Sequence, residues 1–300
     1  MTSYRVNHTT RYRYREPVSL CHNEARLLPR SLPHQLCLHS QLQTQPLPTV
    51  YHEREDFFGN RVTYFAVQEP HTLLEVTALS EVQIVPRDIP YLGSALAWEE
   101  AGTLLRRKLD PDVLEIRQFL LDSPLVSTSQ VLADYAKPSF SSGRTLLEAA
   151  HDLMQSIHWE FTYDPEFTTI ATPLSEVFEH RRGVCQDFAH LAIGCLRSLG
   201  LAARYVSGYV ETLPPLGQSR LVGPAASHAW VSVYSPGQGW VDFDPTNDQI
   251  PTDRHITVAW GRDYSDVTPL KGTILGGSEH VLQVAVEVRR LEGADQPKQE

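Results

Sequence analysis

Cys185 stands in the run Arg-Gly-Val-Cys-Gln-Asp-Phe-Ala-His-Leu (182–191), where a helical pattern begins. Apolar residues follow at 188, 189, 192, 193, 196 and 199, and Gly200 closes the run. The thiol is therefore expected in the first turn of a helix. There the unpaired backbone N–H groups and the macrodipole favour negative charge. A thiol of ordinary pKa ~8.5 can fall to ~3.5–7.5 in such a place, the more so beside a cation or a histidine. Ser-His-Ala-Trp (227–230) and Gly-Trp-Val-Asp-Phe-Asp-Pro-Thr-Asn (239–247) come later. Thiol, imidazole and carboxylate thus arrive in the order Cys185, His228, Asp244, the set that a cysteine nucleophile uses.

Each of the three has a plainer reading. Free cysteine is among the most buried residue types, and Cys195 fits that description, ten residues on and among Ile193, Gly194 and Leu196. Cys185 differs in following Gly183 at a helix start, close in sequence to Arg181 and Arg182. One histidine among thirteen carries no weight alone. His228 gains it from a hairpin: a strand over 228–234, a turn at Ser-Pro-Gly-Gln-Gly (235–239) and a strand from Trp240. Asp244 then ends near His228, where it would accept Nδ1–H and leave Nε2 toward the thiol. Asp242 is expected to turn away and be exposed, and Asp248 is the weaker competitor. Asp244-Pro-Thr read as turn chemistry alone is the remaining alternative. A metal centre would draw on His180, Cys185, His190 and His228, but none has zinc-ligand spacing. No metal and no cofactor is expected.

The elements that must position these groups fall in two regions. Between Tyr4 and Tyr14, and again at 36–42, 62–66 and 74–84, apolar and polar residues alternate with period two. Phe-Phe-Gly-Asn (57–60) supplies a turn between two of these strands. An antiparallel, sandwich-like β domain over 1–88 is the natural reading. From about Ala95 the period becomes helical, through 104–105, 113–120 and 146–157, then a short helix from Pro173 and the cysteine helix. Asp110 before Pro111 reads as an N-cap with proline at the first helical position. Strands follow at 204–210, 228–234, 240–243 and 281–288. The second region, 89–292, is accordingly α+β, with a loop at 212–226 and a disordered tail at 293–300.

Composition bounds the function. A net charge of −10 argues against nucleic acid as a partner, because such a protein shows a basic face. No apolar run approaches the ~20 residues of a membrane span, so no membrane partner is expected. The start, Met-Thr-Ser-Tyr-Arg-Val, has no apolar stretch like that of a signal peptide, and the four cysteines show no disulfide framework. A cytoplasmic location is the expectation.

The quoted runs, with Leu-Arg-Ser-Leu-Gly-Leu-Ala-Ala-Arg-Tyr-Val-Ser-Gly-Tyr (196–209) and Gly-Arg-Asp-Tyr-Ser-Asp-Val-Thr-Pro (261–269), closely resemble bacterial transglutaminase-like proteins. The first strand, with Tyr4, His8, Thr10, Tyr12, Tyr14, Pro17 and Val18, resembles the β domain that precedes the catalytic domain in that group. The resemblance implies a papain-like α+β core. It implies Cys185 as nucleophile, His228 as general base and acid, and Asp244 as the orienting carboxylate. The Cys185 backbone N–H is one expected oxyanion donor. Animal transglutaminases add a tryptophan indole, for which Trp159 is the residue to compare. The implied chemistry is acyl transfer through a thioester, with a peptide or amide as substrate. Water as acceptor makes a protease or amidase, and this is the expected reaction; an amine makes a transglutaminase. A non-catalytic peptide-binding module is the third reading, disfavoured by an intact Cys-His-Asp set.

Overall fold

In this computed structural model the described residues are 1–107, 111–169, 172–211 and 227–291. The expected cap at Asp110, the loop at 212–226 and the tail at 293–300 lie outside them. Five strands open the chain: β1 (Thr2–Ala25), β2 (Gln35–Gln45), β3 (Val50–Glu55), β4 (Arg61–Val67) and β5 (His71–Ile84). They form one antiparallel sheet in the order β2-β5-β1-β4-β3. The register of β1 breaks between Arg13 and Val18. Pro17 lies in that break and has no N–H to give to a ladder. Before the break β1 pairs with β5, and from Cys21 onward with β4. The long strand thus serves two partner sets around a small core that includes Val18, Cys21, Leu42, Phe65 and Leu74.

The helical region follows as α1 (Trp98–Arg107), α2 (Pro111–Arg117), α3 (Gln130–Ala136) and α4 (Leu146–Glu160). Next come β6 (Thr162–Tyr163), α5 (Leu174–His180), β7 (Arg182–Gly183) and α6 (Cys185–Ser198). Then β8 (Ala203–Val210), β9 (Ser227–Ser235), β10 (Gly239–Phe243) and β11 (His255–Gly261) make an antiparallel sheet in the order β10-β9-β8-β11. Helix α6 is buried nearly all round, its Leu191, Ala192 and Cys195 sharing a core with Tyr205, Val231 and Val233. Gly194 lets α3 come close: a Cβ there would stand 2.8 Å from Leu132 Cδ1. Among the described residues no helix is long and apolar enough to cross a membrane.

The chain then returns to its beginning. After α7 (Tyr264–Val267), strands β12 (Leu270–Gly276) and β13 (His280–Leu291) both pair antiparallel with β1. The placement of 281–288 in the second region's sheet is therefore corrected. Alternation shows that a strand has one buried face, but not which sheet it joins.

The two regions are clasped at β11, an edge strand of its sheet. Gln35 reaches across with its amide: Oε1 accepts from Thr257 N–H at 2.8 Å, and Nε2 donates to Thr257 O at 2.7 Å. Asn60 does the same for Trp260, accepting its N–H at 2.9 Å and donating to its carbonyl at 2.8 Å. Both amides are buried. They stand in for a neighbouring strand and satisfy backbone groups that an edge would leave open. Gln35→Leu keeps the volume but strands both Thr257 groups, a loss of about 2 kcal/mol or more. Thermal unfolding should show a Tm lower by roughly 4–8 °C; an unchanged Tm would show that the clasp does not hold the regions together.

Candidate active site

Cys185 is the first residue of α6, with Val184 before it in extended conformation. Asp187, three residues on, turns its Oδ2 back to accept the Val184 N–H at 2.8 Å and the Thr168 hydroxyl at 2.7 Å. That carboxylate ties the helix start to the loop after β6. Gly183 is needed there, because a Cβ would lie 2.8 Å from Asp187 Cβ. Cys185 is part-exposed, whereas Cys195 is 0% exposed and burial pushes its thiol pKa far up. The two arginines before Cys185 are engaged elsewhere. Arg181 lies over Phe178, Phe161 and Tyr135, and Arg182 faces Asp164.

His228 opens β9 opposite Gly208 of β8, where the absence of a side chain leaves room for Trp230 beside it. The imidazole Nε2 donates to Asp244 Oδ2 at 2.7 Å. With Nε2 so engaged, Nδ1 is the ring nitrogen left to serve Cys185, which lines the same cleft. The pairing of His228 with Asp244 agrees with the sequence reading, but the two ring nitrogens are exchanged. A hairpin fixes which residues meet and not which way a ring is turned.

Asp244 is 0% exposed and takes an unusual number of donors. Its Oδ1 accepts the N–H groups of Thr246 (3.1 Å) and Asn247 (3.2 Å), which is the turn chemistry of Asp-Pro-Thr. Its Oδ2 accepts His228, the Asn247 amide at 2.7 Å and His255 Nε2 at 2.9 Å. Turn and histidine functions thus coexist on one carboxylate, one oxygen each. The turn is pinned from behind by His158 of α4, whose Nδ1 donates to the Pro245 and Thr246 carbonyls at 3.2 and 3.1 Å.

Burial alone would protonate Asp244, but the hydrogen bonds from both histidines, and their charges, hold its pKa far below the usual carboxylate range. Burial also opposes charge on His228. The bonds to Asp244 and Cys185 outweigh it and push the imidazole up to about 10.

Two other expectations change. Asp242 is buried, and its Oδ2 accepts from Arg87 at 3.2 Å. Residues two apart on a strand share a face, so it lies on the side of Asp244 rather than away from it. Asp248, in a left-handed conformation, turns to Gln155 of α4 and not to His228. Trp159 is 76% exposed and forms no part of the cleft wall. His255 had no signal in the sequence: it lies eleven residues past Asp244, beyond the hairpin. The ligand atoms of His228, Asp244 and His255 lie within 4.8 Å of one another, at distances that hydrogen bonds account for.

The cleft has a cavity of about 380 Å³. Cys185, Tyr205, Tyr209, His228 and Tyr264 form one side, and His8, Thr10, Tyr12, Leu282 and Val284 of the first sheet form the other. His8 Nδ1 and the Tyr209 hydroxyl meet at 2.9 Å across this seam. Tyr264 is held by its N–H, which donates to His190 Nε2 at 3.1 Å, and by the Asp263 cap of α7.

Residues 4–83 match the bacterial transglutaminase-like N-terminal region, and residues 133–245 match the transglutaminase-like superfamily. The chain belongs to the transglutaminase-like superfamily. An uncharacterized Mycobacterium tuberculosis protein is 44% identical over 299 residues, 97% of this chain and 93% of that one. A protein-glutamine gamma-glutamyltransferase of Pseudomonas aeruginosa is 31% identical over 124 residues, 41% of this chain and 19% of its own. The fold is also similar to a solved protein of Cytophaga hutchinsonii named as a candidate cysteine protease. The TM-score is 0.76 at 21% identity, over 99% of this chain and 93% of that one. The chain is thus a transglutaminase-like α+β protein of a thiol-dependent enzyme superfamily.

The contrast between the two α6 cysteines is directly measurable. Iodoacetamide at neutral pH should label Cys185 well before Cys195, read by mass spectrometry of the peptides. Preferential labelling of Cys195 would overturn Cys185 as the reactive thiol.

Proposed function

We propose that this protein is a thiol-dependent acyl-transfer enzyme that hydrolyses a peptide or amide bond, with Cys185 as nucleophile. The observation that carries the reading is the buried Asp244 bonded to His228 in the cleft that also holds a part-exposed thiol at a helix start. In the resting site His228 is an imidazolium, since its pKa of about 10 lies well above neutral pH. The Cys185 sulfur attacks the substrate carbonyl carbon, and the backbone N–H of Cys185 is the expected donor to the resulting oxyanion. On collapse the C–N bond breaks, the leaving amine takes the proton from His228 Nδ1, and a thioester remains. His228 then draws a proton from water as it attacks the thioester. Collapse releases the carboxylic acid and expels the sulfur beside the imidazolium that His228 has again become, which restores the resting state. Asp244 keeps Nε2 protonated throughout, so that Nδ1 is the working nitrogen.

Water suits this cleft because it needs no binding site of its own to reach a part-exposed thioester. The 380 Å³ cavity is near the lower end of the size range of ligand pockets, room for one acyl group. A second reading, transfer to an amine, draws on the resemblance to the Pseudomonas glutamyltransferase, which covers less than half of this chain. In both readings the partner is a peptide or amide substrate. A cytoplasmic site of action is proposed on the absence of disulfides among four free cysteines.

Cys185→Ala should abolish turnover of a reactive amide, and Asp244→Asn should lower kcat by about 10²–10⁴-fold through loss of the ring's orientation. The rate should fall as pH rises through about 10, where His228 loses the proton that the leaving amine requires. A limb near the ordinary histidine pKa of ~6.5 would show that Asp244 does not hold the imidazolium. Offered a primary amine in excess, the acyl group should still go mainly to water; mass spectra dominated by the amide product would favour the transferase.

A further inference from the structure

A cavity larger than the Cys185 cleft lies away from it, between the first domain and the outer face of the β8–β11 sheet. It holds about 710 Å³. Arg204 of β8 lies on its wall and is 8% exposed. The guanidinium carbon sits 3.8 Å from the Trp260 ring centroid and 4.2 Å from that of Trp240, so an indole covers each face. Arg30 lies 3.5 Å from the Trp260 centroid. Two guanidinium groups cannot share one face at such distances, so Arg30, Trp260, Arg204 and Trp240 form a stack. Its two cations repel one another, and no anion lies between them.

Among the described residues the Arg204 side chain makes no hydrogen bond and no ion pair, and its Nε is buried without a partner. Burial lowers its pKa to about 9, which still leaves it charged at neutral pH; Asp242 opposes the shift and Arg30 adds to it. Asp242 lies two strands away in the same row, across Ser232, and gives its carboxylate to Arg87 instead. Arg87 Nε is also buried without a partner. Glu115 is exposed at the rim, and burial, with the charge of Arg87, keeps His34 neutral by lowering it to about 4. A buried charge left in this state is costly unless something pairs with it.

We propose that this cavity binds a small carboxylate bearing an aromatic or branched apolar group, with the carboxylate held by the free edge of Arg204. With both faces covered, only the in-plane N–H fork is left, and a planar carboxylate matches that fork with two parallel bonds. A dianion such as a phosphate fits less well, because Asp242 and Glu115 already bring negative charge to the same wall. Apart from Gln118 and Thr257 the rest of the lining is apolar, with Leu32, Ile116, Phe119 and Val206 among it, and Phe57 stands at the mouth, 82% exposed. A free acid and the C-terminal residue of a peptide offer the same chemistry. The site is separate from the Cys185 cleft and does not depend on the reaction assigned there.

The test is calorimetric titration of protein whose Cys185 has been blocked with iodoacetamide, so that the reactive cleft takes no part. The probes are 3-phenylpropanoate, N-acetyl-Gly-Gly-Phe with a free C-terminus, and the neutral 3-phenylpropanamide. At least one acid should bind saturably and about tenfold or more tighter than the amide. The acid that binds tighter tells a free acid from a peptide end. Arg204→Gln should remove that preference, and Phe57→Ala, on an exposed residue that leaves the fold intact, should weaken binding several-fold. No saturable binding of either acid, equal binding of acid and amide, or unchanged binding in Arg204→Gln would overturn the proposal. Should Arg204→Gln fail to fold, unchanged binding in Phe57→Ala overturns it.

Discussion

A carboxylate removed wholly from water stays charged only when donors meet it from several sides, and Asp244 imposes that requirement on the core of this protein. Two donors come from the turn that follows it, one from the Asn247 amide in the same turn, and one each from His228 on β9 and His255 on β11. The strands between which the carboxylate lies are thereby fixed relative to the turn. The turn is fixed to α4 through His158. Since α4 and α6 pack in one core, the thiol at the head of α6 is set against the imidazole by the same arrangement. The alignment of the site is a consequence of satisfying one buried charge.

The first domain is part of that arrangement rather than an attachment to it. Strand β11 carries His255 and ends the core sheet, and its outer edge is met by the Gln35 and Asn60 amides. One wall of the cleft comes from β1 and β13. The chain closes this joint from both ends, since β12 and β13 return to β1 after the core is complete. The cleft beside Cys185 therefore exists only when both regions are folded and joined.

What could be read from the sequence was what local spacing encodes. The start of α6, the hairpin of β9 and β10, and the Cys185, His228, Asp244 set all rest on short-range patterns, and the structure brings the three side chains together. His255 left no trace because nothing local ties it to Asp244; only the sheet order places β11 near enough. Strand β3 was missed since all six of its residues are exposed, so it has no alternation to show. Helix α3 was missed because seven residues give less than two turns of period. The error at Asp242 was one of parity, as the i, i+2 relation to Asp244 already placed both carboxylates on one side.

That shared side is where the two cavities meet in their logic. Asp242 near the end of β10 and Asp244 just past it lie on the same side, two residues apart, and each is buried. Asp244 is surrounded by donors from its own turn and from two histidines. Asp242 is answered by the guanidinium of Arg87, across from the indole-covered Arg204. The covering by Trp240 and Trp260 matters to both. It keeps Arg204 from reaching along the row to Asp242 and neutralising it, so the Arg87 pair persists and one cation remains over. A sheet face that placed two bare carboxylates and two bare arginines together would collapse them into two ion pairs. Stacking one arginine between indoles holds that collapse off and leaves an unfilled charge facing a cavity.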